Sequence, residues 1–525
     1  MKKNLLKRLN RSFAIIFGLF LVLSFAAFET QAVGVEKNEK RENAAEIIKK
    51  AMAAMGGEDK LRALRSLYFE GIGHNNSVEQ SERPEGPYIV AYEQIKETRD
   101  LIGSRFLRSQ ENRMGQMPEW TVFNYVGTKD FLAMEMNGRF FPGQKSQMHE
   151  ELFQMALAPE KILLTALEAS DLRLEKDTVM QDVPHRVLRF THRNVPVTLY
   201  LNANTFLPTM VETKSFSAYS HFWQVWGDVT TRTFYSYWTL ESGGLRYPHQ
   251  LDIFKNEYHV RSFTITKLKF NIEIPEDSFK VSEDVRTAYA KQPLMAIDDL
   301  PLGRPDQPAH EIAPGIVNIP GRWNVAIVRQ TDGIVIIEAP ISSGYSAKVI
   351  EEAGRRFPGV PIKAVITTSD AFPHLGGVRE YVARNVPVYA LDLNLPILRR
   401  LIAAPHSISP DMLERNKRKP DFKVVMKKTV IGEGANRLEI YPIRSETGER
   451  MMMIYFPEHK LLYGSDLIQQ MRDGSFFMTQ YLAELMQAVE RENLSVSDVF
   501  AMHNLKIPYA EIVKAVRRDM EGNLK

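Results

Sequence analysis

The 525-residue chain contains no cysteine. That absence removes disulfides, zinc–thiolate sites, a thiol nucleophile and a lipid-modified N-terminal cysteine together. An exported chain of this kind has to hold its fold by core burial alone, which suits a bacterial envelope protein better than a small secreted toxin. Long apolar runs are equally scarce. Past Phe28 none approaches the roughly 17 to 25 residues that a membrane-spanning helix needs. No Gly-x-Ser-x-Gly elbow, phosphate-binding loop or dinucleotide glycine pattern occurs, so the common serine-hydrolase, nucleotidase and dehydrogenase routes lack support. Internal repeats and low-complexity tracts are also missing.

What the chain does have begins at its N-terminus. Lys2, Lys3, Lys7, Arg8 and Arg11 precede an apolar run from Phe13 to Phe28, and Thr30-Gln31-Ala32 offers small residues for cleavage. Residues 1–32 therefore read as a secretory signal peptide, with an uncleaved anchor as the alternative. Removing them takes the formal net charge from +3 to −1. The basic character belongs to the export signal and not to a nucleic-acid-binding surface, so no nucleic-acid partner is expected. The expected location is the periplasm or cell envelope, with membrane contact only through this segment or a lipid ligand.

From Asn43 to Met55, apolar Ile47, Ile48, Ala51, Met52 and Met55 recur at three- and four-residue steps before Gly56-Gly57, which predicts an amphipathic helix with a glycine stop. The period then changes to two, as in Val187–Phe190, Val197–Leu201, Pro208–Glu212, Thr233–Thr239 and His259–Asn271, with turn chemistry at Asn202-Ala203-Asn204. Residues 40–287 are thus expected as a helix followed by a long antiparallel meander. Prolines gather over 288–312, the expected linker. Over 313–516 short apolar strands alternate with helical stretches near 345–356, 377–384, 393–403 and 478–492, which two sheets covered by outer helices would explain.

Residues 366–377, Ile-Thr-Thr-Ser-Asp-Ala-Phe-Pro-His-Leu-Gly-Gly, resemble the metal-binding loop of metallo-β-lactamase-fold hydrolases, in which an apolar strand ends in Thr-His-x-His-x-Asp-His-x-Gly-Gly. On that resemblance the first His, second His and Asp slots hold Ser369, Ala371 and Pro373, while His374 and Gly376-Gly377 keep theirs. A mid-domain His slot falls in Ser445-Glu446-Thr447-Gly448-Glu449, which has no His. The bridging Asp slot is Asp466, and the final His slot is His503. The resemblance implies that one ion's private ligands are gone and that His374, Asp466 and His503 remain for the other, with Asp370 as a candidate fourth ligand. Two readings stay open. The trio holds one divalent metal, zinc before others, and hydrolyses an ester, amide or related bond; or it holds none, and the residues are remnants of the fold.

Other residue groups have bland explanations. Arg415, Lys417, Arg418 and Lys419 suit a solvated loop. Met451-Met452-Met453 suits a core strand. His221, Trp223 and Trp226 are either aromatic packing or the lining of a cavity.

Leu199-Tyr200-Leu201-Asn202 with Leu207-Pro208, and Asn271-Ile272-Glu273-Ile274-Pro275 with Phe279, resemble periplasmic lipoprotein carriers and lipoprotein-localisation proteins. That likeness implies an unclosed β-barrel wrapped around a helix and a lipid, acylated or other small-molecule partner. The expected class is α+β: an N-terminal unclosed antiparallel barrel with a covering helix, the linker, then a four-layer αββα metallo-β-lactamase-like sandwich. A non-catalytic envelope binding protein is the alternative function.

Overall fold

Helix Ala44–Met55 begins where sequence rules place it. The Asn43 side chain accepts from the Glu46 amide at 2.9 Å, and Glu46 returns a bond to the Asn43 amide at 3.2 Å, a reciprocal capping box. Gly56 ends the helix at φ 122°, and a Cβ there would lie 2.4 Å from the Gly244 oxygen, so only glycine fits. The apolar stripe Ile47, Ile48, Ala51, Met52 and Met55 is wholly buried.

That stripe packs into a 14-stranded antiparallel sheet. A computed structural model describes residues 43–78, 86–114, 120–471 and 473–522 of the chain. The signal-peptide reading of residues 1–32 lies outside the described residues. Strand Ser66–Asn76 sits in the middle of the sheet, pairing with Val90–Asp100 on one side and Tyr258–Phe270 on the other. The path ends at Arg139–Pro142 on one edge and Arg173–Leu174 on the other, and these do not pair, so the sheet is unclosed. Helices Ala44–Met55 and Ile162–Glu168 share one core with its strands, where Ile47, Ile48 and Met52 meet Leu199, Leu201 and Phe263. At the turn after strand Val195–Asn202, the Asn202 side chain accepts from the amides of Asn204 and Thr205.

The second half has two further sheets. The seven-stranded sheet runs in order His310–Ala313, Ile316–Ile319, Val325–Gln330, Gly333–Ile337, Ile362–Thr367, Val388–Leu391, Phe422–Val425. It is antiparallel up to Gly333–Ile337 and parallel beyond. The six-stranded sheet runs from Thr429–Ile431 to Asn504–Pro508. Val328, Ile337 and Ile366 of one sheet meet Ile440, Ile454 and Phe500 of the other in a shared core. Helices Ser343–Arg356, Val378–Ala383 and Leu395–Ala403 cover one outer face, and Thr479–Arg491 with Tyr509–Gly522 covers the other. Strands buried on both faces read as unbroken apolar runs. The methionine triplet shows it: Met452 joins the core between the sheets, while Met451 and Met453 face the outer helices.

From Asn43 onward the chain is one compact unit. The proline-rich segment is held at its short turn Ile297–Asp299: the Ile297 amide bonds the Ala218 oxygen, and Asp298 accepts from the Gly344 amide. A second junction lies at Gly227-Asp228. Gly227 has φ 64° and a Cβ on it would meet the His406 ring at 2.4 Å. The Asp228 carboxylate accepts from the Ile408 amide at 2.9 Å and the Ser407 hydroxyl, with Lys214 at 3.0 Å. Asp228→Ala removes these bonds to the exposed residues Ser407 and Ile408, and a loss of about 1 kcal/mol is expected as a lower urea midpoint.

Candidate metal centre

Strand Ile362–Thr367 delivers the loop Thr368–Gly377 to the edge of the two sheets. Gly376-Gly377 is fixed by close approach and not by a turn. A Cβ on Gly376 would lie 2.3 Å from the Ile341 oxygen, and one on Gly377 would lie 2.0 Å from Ser346 Oγ. The Gly377 amide bonds the Ala339 oxygen and the Ile341 amide bonds the Pro373 oxygen, which sets His374 in the short helix Phe372–Leu375. Phe372 is fully buried against Trp223, Trp226 and Tyr258, with ring centroids 5.8, 5.3 and 6.0 Å away. Of the aromatic pair read as core or cavity, both tryptophans are core and clamp this loop.

His374, Asp466 and His503 come together from three loops, with one donor atom from each lying within 4.8 Å of the others. His503 Nε2 is 3.0 Å from Asp466 Oδ1, and His374 Nε2 is 3.6 Å from Asp466 Oδ2. A tetrahedral ion with ligand bonds of about 2.1 Å has edges of roughly 3.4 Å, so the two separations suit a single zinc-like centre. His503 Nδ1 donates to the Arg322 carbonyl oxygen at 3.2 Å, which turns Nε2 toward Asp466. Such an outer hydrogen bond is the usual support of a metal-binding imidazole. His374 has no equivalent: among the described residues its buried Nδ1 meets no hydrogen-bond partner. Gln469 Nε2 donates to Asp466 Oδ1 at 3.0 Å.

Electrostatics follow burial and pairing. Burial drives the His374 pKa down to about 4, against the pull of Asp466, so its imidazole is neutral at pH 7. Burial opposes the charge on Asp466, yet the two imidazoles outweigh it and hold the carboxyl at about 2. His503 is desolvated too, but the Asp466 carboxylate raises its pKa above the ordinary value.

Asp370 does not join the trio. It is buried, with Oδ2 3.8 Å from the Arg450 guanidinium. The loop's other residues serve the backbone. Ser369 Oγ accepts from the Ala371 amide, Ala371 caps the short helix, and Pro373 lies in its first turn. The loop Ser445–Gly448 wraps the buried Glu484 carboxylate, which accepts from the Thr447 and Gly448 amides at 2.9 and 3.1 Å and from the Ser445 hydroxyl. His406 and His459 are elsewhere, beside Asp411 and Asn436. The basic cluster is exposed, with Lys417 paired to Glu414.

Sequence reasoning missed a carboxyl beneath the centre. Glu338, wholly buried, accepts from the Thr368 hydroxyl and from Tyr463 Oη at 3.1 Å, and burial pushes its pKa up to about 7. Thr368 in turn meets Ser465, the neighbour of Asp466, at 2.7 Å. A glutamate closing an apolar strand was the available signal. Arg322 and Trp323 were missed as well, in a turn with no motif.

No protein-family model matches the chain. No curated protein matches it either. Among solved structures it is similar to the inverting sec-alkylsulfatase Pisa1 of Pseudomonas sp., at 16% identity and a TM-score of 0.31, over 41% of each chain. It therefore spans about two fifths of that alkylsulfatase's length. It is similar to the DIM-1 metallo-beta-lactamase at 13% identity and a TM-score of 0.32, over 42% of this chain and 99% of that one. A metallo-beta-lactamase from Pontibacter korlensis aligns at 15% identity and a TM-score of 0.31, over 40% of this chain and 96% of the other.

Proposed function

We propose that the second half of the chain is a metallo-β-lactamase-like sandwich carrying a single-metal hydrolase centre for an ester, amide or related bond. The observation that supports this most is the convergence of His374 Nε2, Asp466 and His503 Nε2 at separations suited to one ion. When bound, a divalent ion supplies Lewis acidity toward a carbonyl or phosphoryl oxygen and a water of lowered pKa. The chain's own part is to hold two imidazoles and a carboxylate in place. Gln469 and the Arg322 carbonyl orient them, and the Glu338–Thr368–Ser465 network braces them from below. A second ion has no support: Ser369, Ala371 and the Glu484-bound loop offer no ligands for it.

Export to the periplasm or envelope is part of the same proposal and rests on the basic and apolar pattern of residues 1–32. N-terminal sequencing of the mature protein tests it, with a start just after Ala32 expected.

A second reading has its own observation. The concave sheet of the first half encloses a cavity of about 430 Å³, large enough for a small ligand. Its lining is mixed. Phe69, Ile95, Val211 and Phe263 share it with Glu93, Glu97, Arg99, Arg108 and Arg261, and Glu97 pairs with both Arg99 and Arg108. The apolar wall suits a hydrocarbon portion of a ligand and the charged wall a polar end, so an amphipathic small molecule fits this lining.

Metal analysis of the mature protein separates the readings. About one zinc, iron or manganese per chain is expected, with affinity falling at least about 100-fold in His503→Ala and about 10- to 100-fold in Gln469→Ala. Near-zero metal in the reconstituted wild type, unchanged by His503→Ala, removes the hydrolase proposal. The pairing also sets a pH dependence. His503, with its pKa raised by Asp466, holds a proton that a metal must displace. Apparent affinity therefore rises by up to tenfold per pH unit while His503 is protonated and levels off above its pKa, which isothermal titration at several pH values will show.

A further inference from the structure

Arg322 sits in the turn between strands Ile316–Ile319 and Val325–Gln330. The turn is bolted to the loop that carries His503. The Asn324 amide bonds the Met502 oxygen at 2.7 Å, Asn324 Nδ2 donates to the Ala501 and Asn504 oxygens at 2.9 and 3.1 Å, and the Arg322 carbonyl receives His503 Nδ1–H. The guanidinium lies 5.0 Å over the Trp323 ring. Trp323 is buried, with ring centroids 6.3 Å from His503 and 5.0 Å from His221.

Arg322 differs from the arginines of the interior in its partners. Arg379 is spent on Asp411, and Arg99 and Arg108 on glutamates. Among the described residues the Arg322 side chain has no carboxylate and no hydrogen-bond acceptor, although its side chain is exposed at the rim. Part of its hydration is lost all the same, which lowers its pKa from the ordinary arginine value. Its neighbour His221 adds no second positive charge: burial first, then Arg322 itself, holds that imidazole at about 4 and so neutral. The nearest carboxylate of the centre, Asp466, is engaged by both of its histidines. Of the two imidazoles, the one that the Arg322 turn holds is the more exposed: the His503 side chain is 26% exposed and that of His374 only 2%. An uncompensated guanidinium fork, stiffened by an aromatic face on the side of the more exposed imidazole, is suited to a carboxylate or phosphate.

We infer that Arg322 is the anion-recognition residue of this centre, and that the substrate carries an oxyanion, a carboxylate or a phosphate monoester, beside the bond to be cleaved. The inference rests on the hydrolase reading for what is cleaved, but the anion site itself exists without a metal. His221, which belongs to the first half of the chain, packs on the same tryptophan, so both halves shape the subsite.

The test uses the full mature protein, with and without added zinc, and three probes of similar size: benzoate, phenyl phosphate and benzyl alcohol, each followed by calorimetry. One of the two anions binds at least tenfold more tightly than the alcohol, and which one tells carboxylate from phosphate. Arg322→Ala loses at least tenfold for that anion and leaves the alcohol unchanged, while Arg322→Lys restores part of the loss because it keeps the charge without the fork. Equal binding of charged and neutral probes, or anion binding indifferent to Arg322→Ala in a variant with wild-type circular dichroism, overturns the inference. Anion preference that persists in a protein unable to take up zinc leaves the subsite standing and removes the hydrolase reading. Zinc uptake without anion preference does the reverse.

Discussion

Asp466 holds a full negative charge where little water reaches it, and the His503 imidazole, 37 residues on in sequence, offsets the cost of that placement through its raised pKa, while the neutral His374 imidazole, 92 residues back, lies 3.6 Å away. Three chain segments are drawn to one point by this constraint. The loop of His374 has to pass within contact of Ile341 and Ser346 to arrive there, which is why glycines stand at 376 and 377. The loop of His503 has to be held upright, which the carbonyl of Arg322 does, and that requirement in turn fixes the turn containing Trp323. Much of the architecture at this end of the sandwich is scaffolding for a single carboxylate.

The replaced positions of the loop are not idle. Where the resemblance leads one to look for imidazoles, the chain has residues that satisfy backbone: a serine that accepts from an amide, an alanine at a helix start, a proline in its first turn. The mid-domain loop is similarly committed. Its amides and hydroxyls surround Glu484, so an internal carboxylate occupies a nest of donors.

How much of this was legible depends on the kind of signal each element emits. Helix Ala44–Met55 announces itself through a capping residue, a period and a glycine stop, all local. His374, Asp466 and His503 were legible through their order relative to strands, although no spacing rule alone would join residues so far apart. The charged lining of the first half was illegible for a geometric reason. A period of two says that Glu93, Ile95 and Glu97 share a face of strand Val90–Asp100, but it does not say which face turns inward, and here that face is the buried one. Arg322 escaped for a different reason: an arginine with no partner looks like any surface arginine until the third dimension shows what surrounds it. Asp370 made the opposite error inviting, since nearness in sequence to His374 suggested a ligand, and the turn of the loop sends its carboxylate toward Arg450 instead.

Phe372 sits two residues before His374, and its ring is enclosed by Trp223, Trp226 and Tyr258 from the other half of the chain. Such an arrangement has a genealogical consequence. A gene fusion that merely tethers two independent modules leaves each free to be lost, swapped or duplicated alone. Here the second half, cut away, would present a phenylalanine to water at the base of the loop that carries His374, and the first half would present two tryptophans. The two portions are therefore expected to be transmitted as one heritable cassette, with substitutions at 223, 226, 258 and 372 arising in concert.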